Sequence, residues 1–389
     1  MNKKILALLG VLIIIIATII VVLLMNNDNS ENSNIENNNE KEEILSFDVE
    51  VYDKVTINDL TREDVYDFID TEKLGKQEVE YKVNDEVKKI IVNVKDTTPP
   101  YIGLREYYNH IIDTNFTFEK DVICADNYDK NITCNIIGDY DISVLGETKL
   151  KVVATDSSNN KTEKDFILRV IEKPGKSNPD YISAADAIKN KPDNTELMID
   201  VSKWQADIDW KKVKDSGVKY VMLRLGTQKA IDDESVIDAY FEKNIKAAHE
   251  NGLKVGVYYY SYANDIDDAK IQAEWVLEQL KGYELELPVA FDWECWGFFN
   301  GFHISIHDLN EIARTFLSII EKEGYKVVNY GSKIYMENIW NLDNYDVWLA
   351  HYTDKTSYEG KYIMWQFTDS GLLNGVNGRV DFNYLYLFN

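Results

Sequence analysis

Positive charge is scarce in this chain. Its 389 residues include 42 Lys and Arg against 67 Asp and Glu, which gives a formal net charge of −25 at pH 7. Phosphate binding requires clustered Lys and Arg, so this composition argues against a nucleic acid partner. An anionic surface such as a cell wall would not be held by bulk electrostatics either. Affinity for such a surface must come from specific contacts to uncharged sugar.

Cysteine is also scarce, with three residues at Cys124, Cys134 and Cys295. None lies in a CxxC pair or a Cys/His cluster with zinc spacing, so the sequence implies no metal and no cofactor. Cys124 and Cys134 could form a disulfide outside the cell or remain free thiols, and the spacing leaves both alternatives open. For Cys295 the favoured interpretation is a small buried hydrophobe.

One long hydrophobic run, Ile5–Met25, lies near the N-terminus and is interrupted only by one Gly and one Thr. Its 21 residues match the length of about 20 that spans a bilayer core. Lys3 and Lys4 precede it, so the positive-inside rule places the N-terminus in the cytoplasm and the rest outside. A cleaved signal peptide is the alternative, but no small-residue cleavage site follows the run. We expect a single-pass cell-membrane anchor over residues 1–25.

The next part of the chain changes from a polar tether to β-sequence. Residues 26–43 are almost wholly Asn, Ser, Asp and Glu and cannot bury apolar area, so they predict a disordered tether. Period-two alternation follows, for example in Val79–Val83 and Lys149–Ala154. This alternation predicts antiparallel sandwich strands, in a small β-domain at 44–97 and a second at 98–173.

Two short segments of this β-sequence resemble tandem bacterial immunoglobulin-like modules. They are Lys95–Pro100, at the junction of the two domains, and the turn region Ala154–Asn160. A passive stalk is favoured over weak wall binding, because no aromatic platform stands out. Residues 174–195 contain Pro and Gly breakers and are expected to be a linker.

In residues 196–389, strand-like and helix-like segments alternate, which predicts an α/β domain built around a parallel sheet. About eight strands suggest a TIM-like (β/α) barrel, irregular because helices are missing between the last strands. In such barrels, chemistry lies at the C-terminal ends of the strands. The predicted strands are Leu197–Ser202, Val218–Leu225, Lys254–Tyr262, Leu287–Glu294, Val327–Tyr330, Val347–His351, Tyr362–Phe367 and Val380–Leu387.

Two carboxylates end the fourth of these strands. Asp292 and Glu294 are separated by one residue, so in a strand they share a face and would both point into the barrel mouth. Carboxylates held this close have pKa values that are pushed apart, so that one can act as an acid while the other stays charged. Glycoside cleavage needs such a pair. A solvated strand end is the alternative for the pair taken alone.

Asp200 and Asp381 each lie inside an apolar strand, where a carboxylate is costly without partners or a task. Structural hydrogen-bond acceptors are the alternative for both. Aromatic residues also recur at predicted strand ends, where sugar rings could stack on them, although each alone could be core packing. These aromatic residues are Tyr258, Tyr260, Trp348, Tyr352 and Trp365.

At these residues the chain resembles glycoside hydrolase family 25, the lysozymes that are also named N-acetylmuramidases. The matching segments appear in order over about 190 residues. They are Ile199–Ser202, Trp204–Gln205, Ile208–Trp210, Tyr220–Val221 with Arg224, Gly256–Tyr260, Leu287–Glu294, Trp348–Tyr352, Trp365–Phe367 and Val380–Asn383.

The resemblance implies hydrolysis of the β-1,4 bond between N-acetylmuramic acid and N-acetylglucosamine in peptidoglycan, for remodelling or opening the wall. It implies that Glu294 is the general acid, that Asp292 steadies the charged intermediate, and that Asp200 and Asp381 complete the acidic cluster. Substrate-binding residues would be Arg224, Gln366 and the aromatic residues above.

The sequence departs from the family pattern at two positions. Tyr259 stands where the family usually has His, and Ala206 stands where it usually has Gly. These departures put fine substrate placement in doubt. A catalytically silent wall-binding protein and a hydrolase of chitin-like glycans are the alternative functions.

Overall fold

The computed structural model describes residues 44–175, 180–231, 233–295 and 299–387. The predicted anchor and tether lie outside these residues. Over the described ranges, no helix has the length and apolar character needed to cross a bilayer.

The chain forms two β-modules followed by a barrel. The strands are β1 (Leu45–Glu50), β2 (Gly75–Val83), β3 (Glu86–Lys95), β4 (Tyr101–Gly103), β5 (Tyr107–Ile111), β6 (Ile123–Ala125), β7 (Cys134–Ile137), β8 (Gly146–Thr155), β9 (Lys161–Ile171), β10 (Ile182–Ser183), β11 (Thr195–Val201), β12 (Tyr220–Thr227), β13 (Val236–Ile237), β14 (Lys254–Tyr260), β15 (Val289–Asp292), β16 (Val327–Ser332), β17 (Asp346–Ala350), β18 (Met364–Leu372) and β19 (Arg379–Tyr386). The helices are α1 (Ile57–Thr61), α2 (Phe118–Asp121), α3 (Ala184–Lys189), α4 (Trp210–Asp215), α5 (Phe241–Glu250), α6 (Ile266–Gln279), α7 (Phe299–Phe302), α8 (Ile306–Lys322) and α9 (Lys333–Asn338).

The first β-module is one three-stranded sheet with strand order β1-β3-β2, whose core includes Ile57 from α1. Strand β1 runs parallel to β3, whereas β2 is antiparallel to it. The predicted antiparallel sandwich is therefore wrong for this module. About 50 residues bury too little surface to support two facing sheets, so one sheet closes on a short helix instead.

The second β-module has two sheets, which share one core. A four-stranded sheet has the order β5-β9-β8-β7, and a two-stranded sheet pairs β4 with β6. Strand β5 is parallel to β9, and the other pairs are antiparallel. Cys124 and Cys134 form a disulfide with a Cα–Cα distance of 6.0 Å, which links β6 to β7. The structure thus selects the disulfide from the two alternatives that the spacing leaves open.

The last domain is an eight-stranded closed barrel. The parallel strands β11, β12, β14, β15, β16, β17 and β18 follow one another, and β19 closes the barrel by pairing antiparallel with both β11 and β18. The prediction of an irregular α/β barrel is confirmed. One detail differs, because the short helix α9 connects β16 to β17 where no helix is predicted.

Side chains alternate between the two faces of the barrel wall. Met198, Met222 and Ala290 fill the interior, whereas Phe291 and Trp293 pack in the outer layer with the helices. This alternation decides which residue of each strand end can reach the mouth.

The predicted linker 174–195 is partly wrong. From Ile182 onward it belongs to the barrel, because β10 pairs in parallel with β18 and α3 buries Ala184 and Ala187 in the outer layer. The Pro and Gly residues in this stretch predict a linker, and the strand and helix are both too short to give a periodic pattern.

Candidate active site

A pocket of about 220 Å³ opens at the C-terminal ends of the barrel strands, where TIM-like barrels carry their chemistry. All four acidic residues singled out in the sequence contribute to its wall. The pocket is lined by Asp200, Val201, Ser202, Trp204, Gln205, Arg224, Tyr258, Tyr260, Asp292, Glu294, Tyr330, Trp348, Gln366 and Asp381.

Asp292 and Glu294 occupy different depths of this pocket. Asp292 is the last residue of β15 and is only 5% exposed, whereas Glu294 is exposed at the rim. Between them, Trp293 turns into the outer layer, and its Nε1 donates to the carbonyl oxygen of Ala263 at 3.0 Å. This anchored tryptophan fixes the strand end, so that both carboxylates face the pocket.

Asp200 lies on β11 directly opposite Asp381 of β19. The amide nitrogen of Gln366 donates to Asp200 Oδ2 at 3.0 Å and to Asp381 Oδ2 at 3.4 Å. Asn383 Nδ2 donates to the same oxygen of Asp200 at 2.7 Å, while its Oδ1 accepts from Trp348 Nε1 at 2.7 Å. Asp200 is therefore held by two side-chain amides in the floor of the pocket.

Gln366 connects this floor to the rim. Its Oε1 accepts hydrogen bonds from the hydroxyls of Tyr330 and Tyr352 at 2.9 and 3.0 Å. Because both tyrosines donate to the oxygen, the amide NH₂ must face Asp200 and Asp381. The orientation of one glutamine thus fixes the donors that the two carboxylates receive.

Burial raises the pKa of all four carboxyls, and repulsion by neighbouring carboxylates adds to this for Asp292, Glu294 and Asp381. For Asp292 the pKa is raised well above its ordinary value by burial and then by the charges of Glu294 and Asp200. Although part of the Glu294 side chain is exposed at the rim, the surrounding pocket wall desolvates the carboxyl and raises its pKa, and a hydrogen bond with Tyr330 partly offsets this. For Asp381, burial and the neighbouring Asp200 raise the pKa to about 9. Asp381 therefore keeps a proton at neutral pH, and the raised pKa of Glu294 favours the acid role that glycoside cleavage requires.

Arg224 supplies positive charge to the pocket wall. Its Nε and a terminal nitrogen contact Asp238 Oδ2 at 2.8 and 2.6 Å. Asp238 is buried and also accepts hydrogen bonds from the backbone amides of Lys203 and Tyr240. The held guanidinium lowers the pKa of Asp292 and opposes the effect of burial there.

A second cavity, of about 960 Å³, lies between the second β-module and the barrel. It shares Glu294 and Tyr330 with the pocket. The module contributes residues such as Arg105 and Tyr107, and the barrel contributes Lys333 among others. The second module therefore forms one wall of a groove that leads to Glu294, which a passive stalk would not do.

Comparison with known proteins identifies the barrel. The profile of glycosyl hydrolases family 25 matches residues 199–376. The uncharacterized protein YegX of Escherichia coli K12 is 33% identical over 193 residues, which cover 48% of this chain and 67% of YegX.

The chain belongs to glycosyl hydrolase family 25.

Two further proteins are similar to this family 25 chain. The autolytic lysozyme of Clostridium acetobutylicum is 28% identical over 186 residues, which cover 47% of this chain and 53% of that protein. A solved family 25 glycosyl hydrolase from Bacillus anthracis is 24% identical, with 51% of this chain and 92% of that chain covered and a TM-score of 0.44. Family membership confirms the prediction of a glycoside hydrolase of the lysozyme class that acts on peptidoglycan.

The predicted substrate-binding aromatics of this family 25 barrel separate into three groups. Tyr258, Tyr260 and Trp348 line the pocket, but Trp348 is only 2% exposed and forms floor rather than a stacking face. Tyr352 stands at the rim, beside the groove. Trp365 is not in the pocket, because its ring lies in the outer layer and its Nε1 donates to the carbonyl oxygen of His351. Neighbouring strand residues face opposite sides, and Gln366 is the one that points inward.

Five pocket residues are absent from the predicted site, and three of them have large polar or aromatic side chains. Trp204 is 76% exposed beside the pocket and offers the open aromatic face that Trp348 lacks. Tyr330 lies two residues after Val328 on the inward face of β16, so strand alternation could have predicted its place in the pocket. Gln205 lines the pocket from the 3₁₀ turn Lys203–Gln205, where strand alternation gives no guide.

The two departures from the family 25 pattern have different structural consequences. Tyr259 is fully buried in the outer layer, where its hydroxyl contacts Ser235 Oγ at 2.6 Å, so it cannot affect substrate placement directly. Ala206 has φ 50° and ψ −133°, a conformation that glycine adopts far more readily. The backbone conformation at this position, directly after Trp204 and Gln205, thus explains why the family usually has glycine there.

Proposed function

We propose that this family 25 chain is a membrane-anchored muramidase in which Glu294 is the general acid. The observation that carries the assignment is that Glu294 lies at the rim of the pocket, whereas Asp292 lies buried beneath it. An acid must reach the glycosidic oxygen of a bound polymer, and Glu294 is the carboxyl at the rim. Asp292 lies beneath it and would face the sugar carbon where positive charge develops.

Substrate binding should strengthen this division of roles. A glycan strand over the pocket would cover Glu294 and remove water from it, which favours its protonated form. Arg224, which lies near Asp292, favours the charged form of that carboxyl and opposes the effect of its burial. Donation of the Glu294 proton to the leaving oxygen would then leave a carboxylate that can take a proton back from water.

The groove between the second β-module and the barrel supports a polymeric substrate. It runs on from the pocket at Glu294 and Tyr330, and Trp204 offers an exposed face for stacking a sugar ring. The four carboxylates argue against a silent wall-binding protein, because a binding protein has no need for a costly acidic cluster.

Our proposal for the N-terminal half rests on the sequence and on the β-modules. Residues 1–25 would anchor the chain in the cell membrane, with the remainder extracellular. The second module would be immunoglobulin-like, supported by its two sheets around one core and its disulfide. The protein should fractionate with membranes and be accessible to external protease after wall removal. Recovery of a soluble form starting near residue 26 would contradict the anchor.

The bond that is cut can be identified directly. The full chain, solubilised in mild detergent, should digest purified peptidoglycan, and borohydride should reduce the new ends to muramic acid alcohol. Glucosaminitol instead would leave the hydrolase intact but overturn the muramidase assignment. Sedimentation with wall and no new reducing ends would favour the silent binder, and better cleavage of chitin oligomers would favour the chitin-like substrate.

A further inference from the structure

A second buried acidic cluster lies where the two β-modules meet. Asp96 follows β3 of the first module, whereas Asp126 and Asp156 follow β6 and β8 of the second. Their side chains are buried, at 5%, 1% and 6% exposure, and one carboxylate oxygen of each lies within 4.8 Å of the others. Three carboxylates from distant parts of the chain thus converge on one point.

Backbone amides orient Asp96 and Asp126 but leave one oxygen of each unpaired, whereas both oxygens of Asp156 accept from Asn160. Asp96 Oδ1 accepts from the amide of Thr98 at 3.2 Å, and Asp126 Oδ1 accepts from the amides of Tyr128 and Asp129 at 2.9 and 2.8 Å. The Oδ2 atoms of Asp96 and Asp126 are buried and have no hydrogen-bond partner among the described residues. A buried charged oxygen without a partner is costly, so these two atoms need a ligand.

Side chains of the described residues do not supply the missing positive charge. None of the salt bridges there involves the three aspartates. The charges that act on Asp96 are those of Asp126, Asp156 and Glu50, all of the same sign. Three like charges at this distance in a buried site strongly repel one another, and a bound cation would reverse that balance.

We propose that Asp96, Asp126 and Asp156 bind a Ca²⁺ ion that fastens the two β-modules together. The ligands are all hard oxygens, which excludes a zinc-type site with nitrogen or sulfur donors. Ca²⁺ holds oxygens at about 2.3–2.6 Å, so two ligands of one ion can be up to about 5 Å apart. The three carboxylate oxygens lie within 4.8 Å of one another, which is compatible with that span. Mg²⁺ demands near-ideal octahedral geometry and usually keeps several waters, so a group of three buried protein carboxylates favours Ca²⁺.

The site also touches the barrel through the segment that follows Asp126. The carbonyl oxygen of Asp126 accepts from the amide of Ile306, at the start of α8, at 2.7 Å. Lys130 contacts Asp308 of the same helix at 3.0 Å. An ion that fixes Asp126 would therefore fix the contact that positions the second module against the barrel.

The test is calcium binding by the full chain in detergent after removal of metal with EGTA. Calorimetric titration with CaCl₂ should give a Kd of about 10⁻⁴–10⁻³ M, the range of extracellular calcium modules. In thermal melts, 10 mM CaCl₂ should raise the midpoint of the β-module transition by about 5 °C over EGTA. Asp126→Asn should lose both responses, whereas Asp165→Asn, which changes an exposed carboxylate on β9, should keep them.

Further melts and titrations can contradict the proposed calcium site. In EGTA, Asp126→Asn should melt at a higher temperature than the unaltered chain, because the substitution removes repulsion. Should that variant fail to fold, the unaltered chain still decides, since equal melts in CaCl₂ and EGTA overturn the proposal. Calcium binding that survives in both Asp126→Asn and Asp96→Asn would also overturn it, and a MgCl₂ response equal to the CaCl₂ response would overturn the choice of ion.

Discussion

The two buried acidic clusters of this chain contain similar residues but have different surroundings. In the barrel, Asp200 is met by the side-chain amides of Gln366 and Asn383, within a pocket that opens to solvent. At the module junction, backbone amides fix one oxygen each of Asp96 and Asp126, and the second oxygen remains unpaired. The barrel cluster faces a pocket that a substrate can enter, whereas the junction cluster presents fixed oxygens to one point.

This contrast shows that the donors around a carboxylate, more than its burial, indicate its use. Burial raises the pKa in both clusters, to about 9 for Asp381 and to about 6 for Asp96. In the barrel, raised pKa values keep protons available for transfer to a substrate. Neither of the two cavities described above is lined by the junction aspartates. Cation binding is therefore the simpler role for their charge.

Substitution of Glu294, the acid at the rim of the pocket, should distinguish the roles of the two acidic clusters most clearly. Glu294→Gln should lower peptidoglycan hydrolysis by about 10²–10⁴-fold, because the proton donor is lost. Its melting temperature and its calcium response should remain those of the unaltered chain. Glu323→Gln, which changes an exposed carboxylate just after α8, is the control and should keep full activity. Full activity in Glu294→Gln would dismiss the assigned acid.

The proton held by Asp381 should appear in the pH dependence of stability. Folded Asp381 keeps its proton up to about pH 9, whereas in the unfolded chain it loses it near its ordinary pKa of 3.8. Between these values the folded state binds more protons, so the free energy of unfolding should fall as pH rises. The fall should be on the order of a few kcal/mol. Urea melts at pH 5, 7 and 9 should show a flatter profile for Asp381→Asn than for Asp346→Asn, an exposed control.

The junction cluster should respond to pH through its affinity for calcium. Burial and the charges of Asp126, Asp156 and Glu50 raise the pKa of Asp96 to about 6. A carboxylate must lose its proton to bind a cation, so calcium affinity should fall as pH drops below this value. Calorimetric titrations at pH 7.5 and pH 5 should differ by about tenfold in Kd, since one pH unit changes the ionised fraction tenfold below the pKa. Equal affinity at both pH values would argue that Asp96 is not a ligand.

Sequence periodicity predicted the barrel well because its strands are continuous apolar runs separated by amphipathic helices. The alternation rule also placed Asp292 and Glu294 on one face. By the same rule, the neighbours Trp365 and Gln366 cannot both face the mouth. Only the register of β18 against β19 decides that Gln366 is the inward residue.

The junction cluster could not be predicted, for a different reason. Asp96, Asp126 and Asp156 are separated by 30 residues at each step, and each follows a strand in a turn-like context. Their convergence depends on how two modules with mixed parallel and antiparallel pairings pack together. No local pattern carries that information, because loop contacts arise from tertiary packing.

The smallest expected effect compares the turns that adjoin the two clusters. Each turn contains a residue with positive φ, which is Ala206 beside the barrel pocket and Asn159 beside Asp156 at the junction. Asparagine tolerates positive φ, whereas alanine pays about 1–2 kcal/mol there. Ala206→Gly should therefore raise the free energy of unfolding of the barrel by about 1 kcal/mol. Asn159→Gly should change that of the β-modules by only about 0.3 kcal/mol.

Urea melts of both variants measure this difference, and hydrolysis assays show whether the strain has a use. Ala206 directly follows Trp204 and Gln205, which line the pocket. Strained backbone often persists at functional sites because it holds a side chain in place. If it does so here, Ala206→Gly should gain stability but lose some activity through a higher KM. Equal stability changes in the two variants would remove the contrast and show that Ala206 stores no strain.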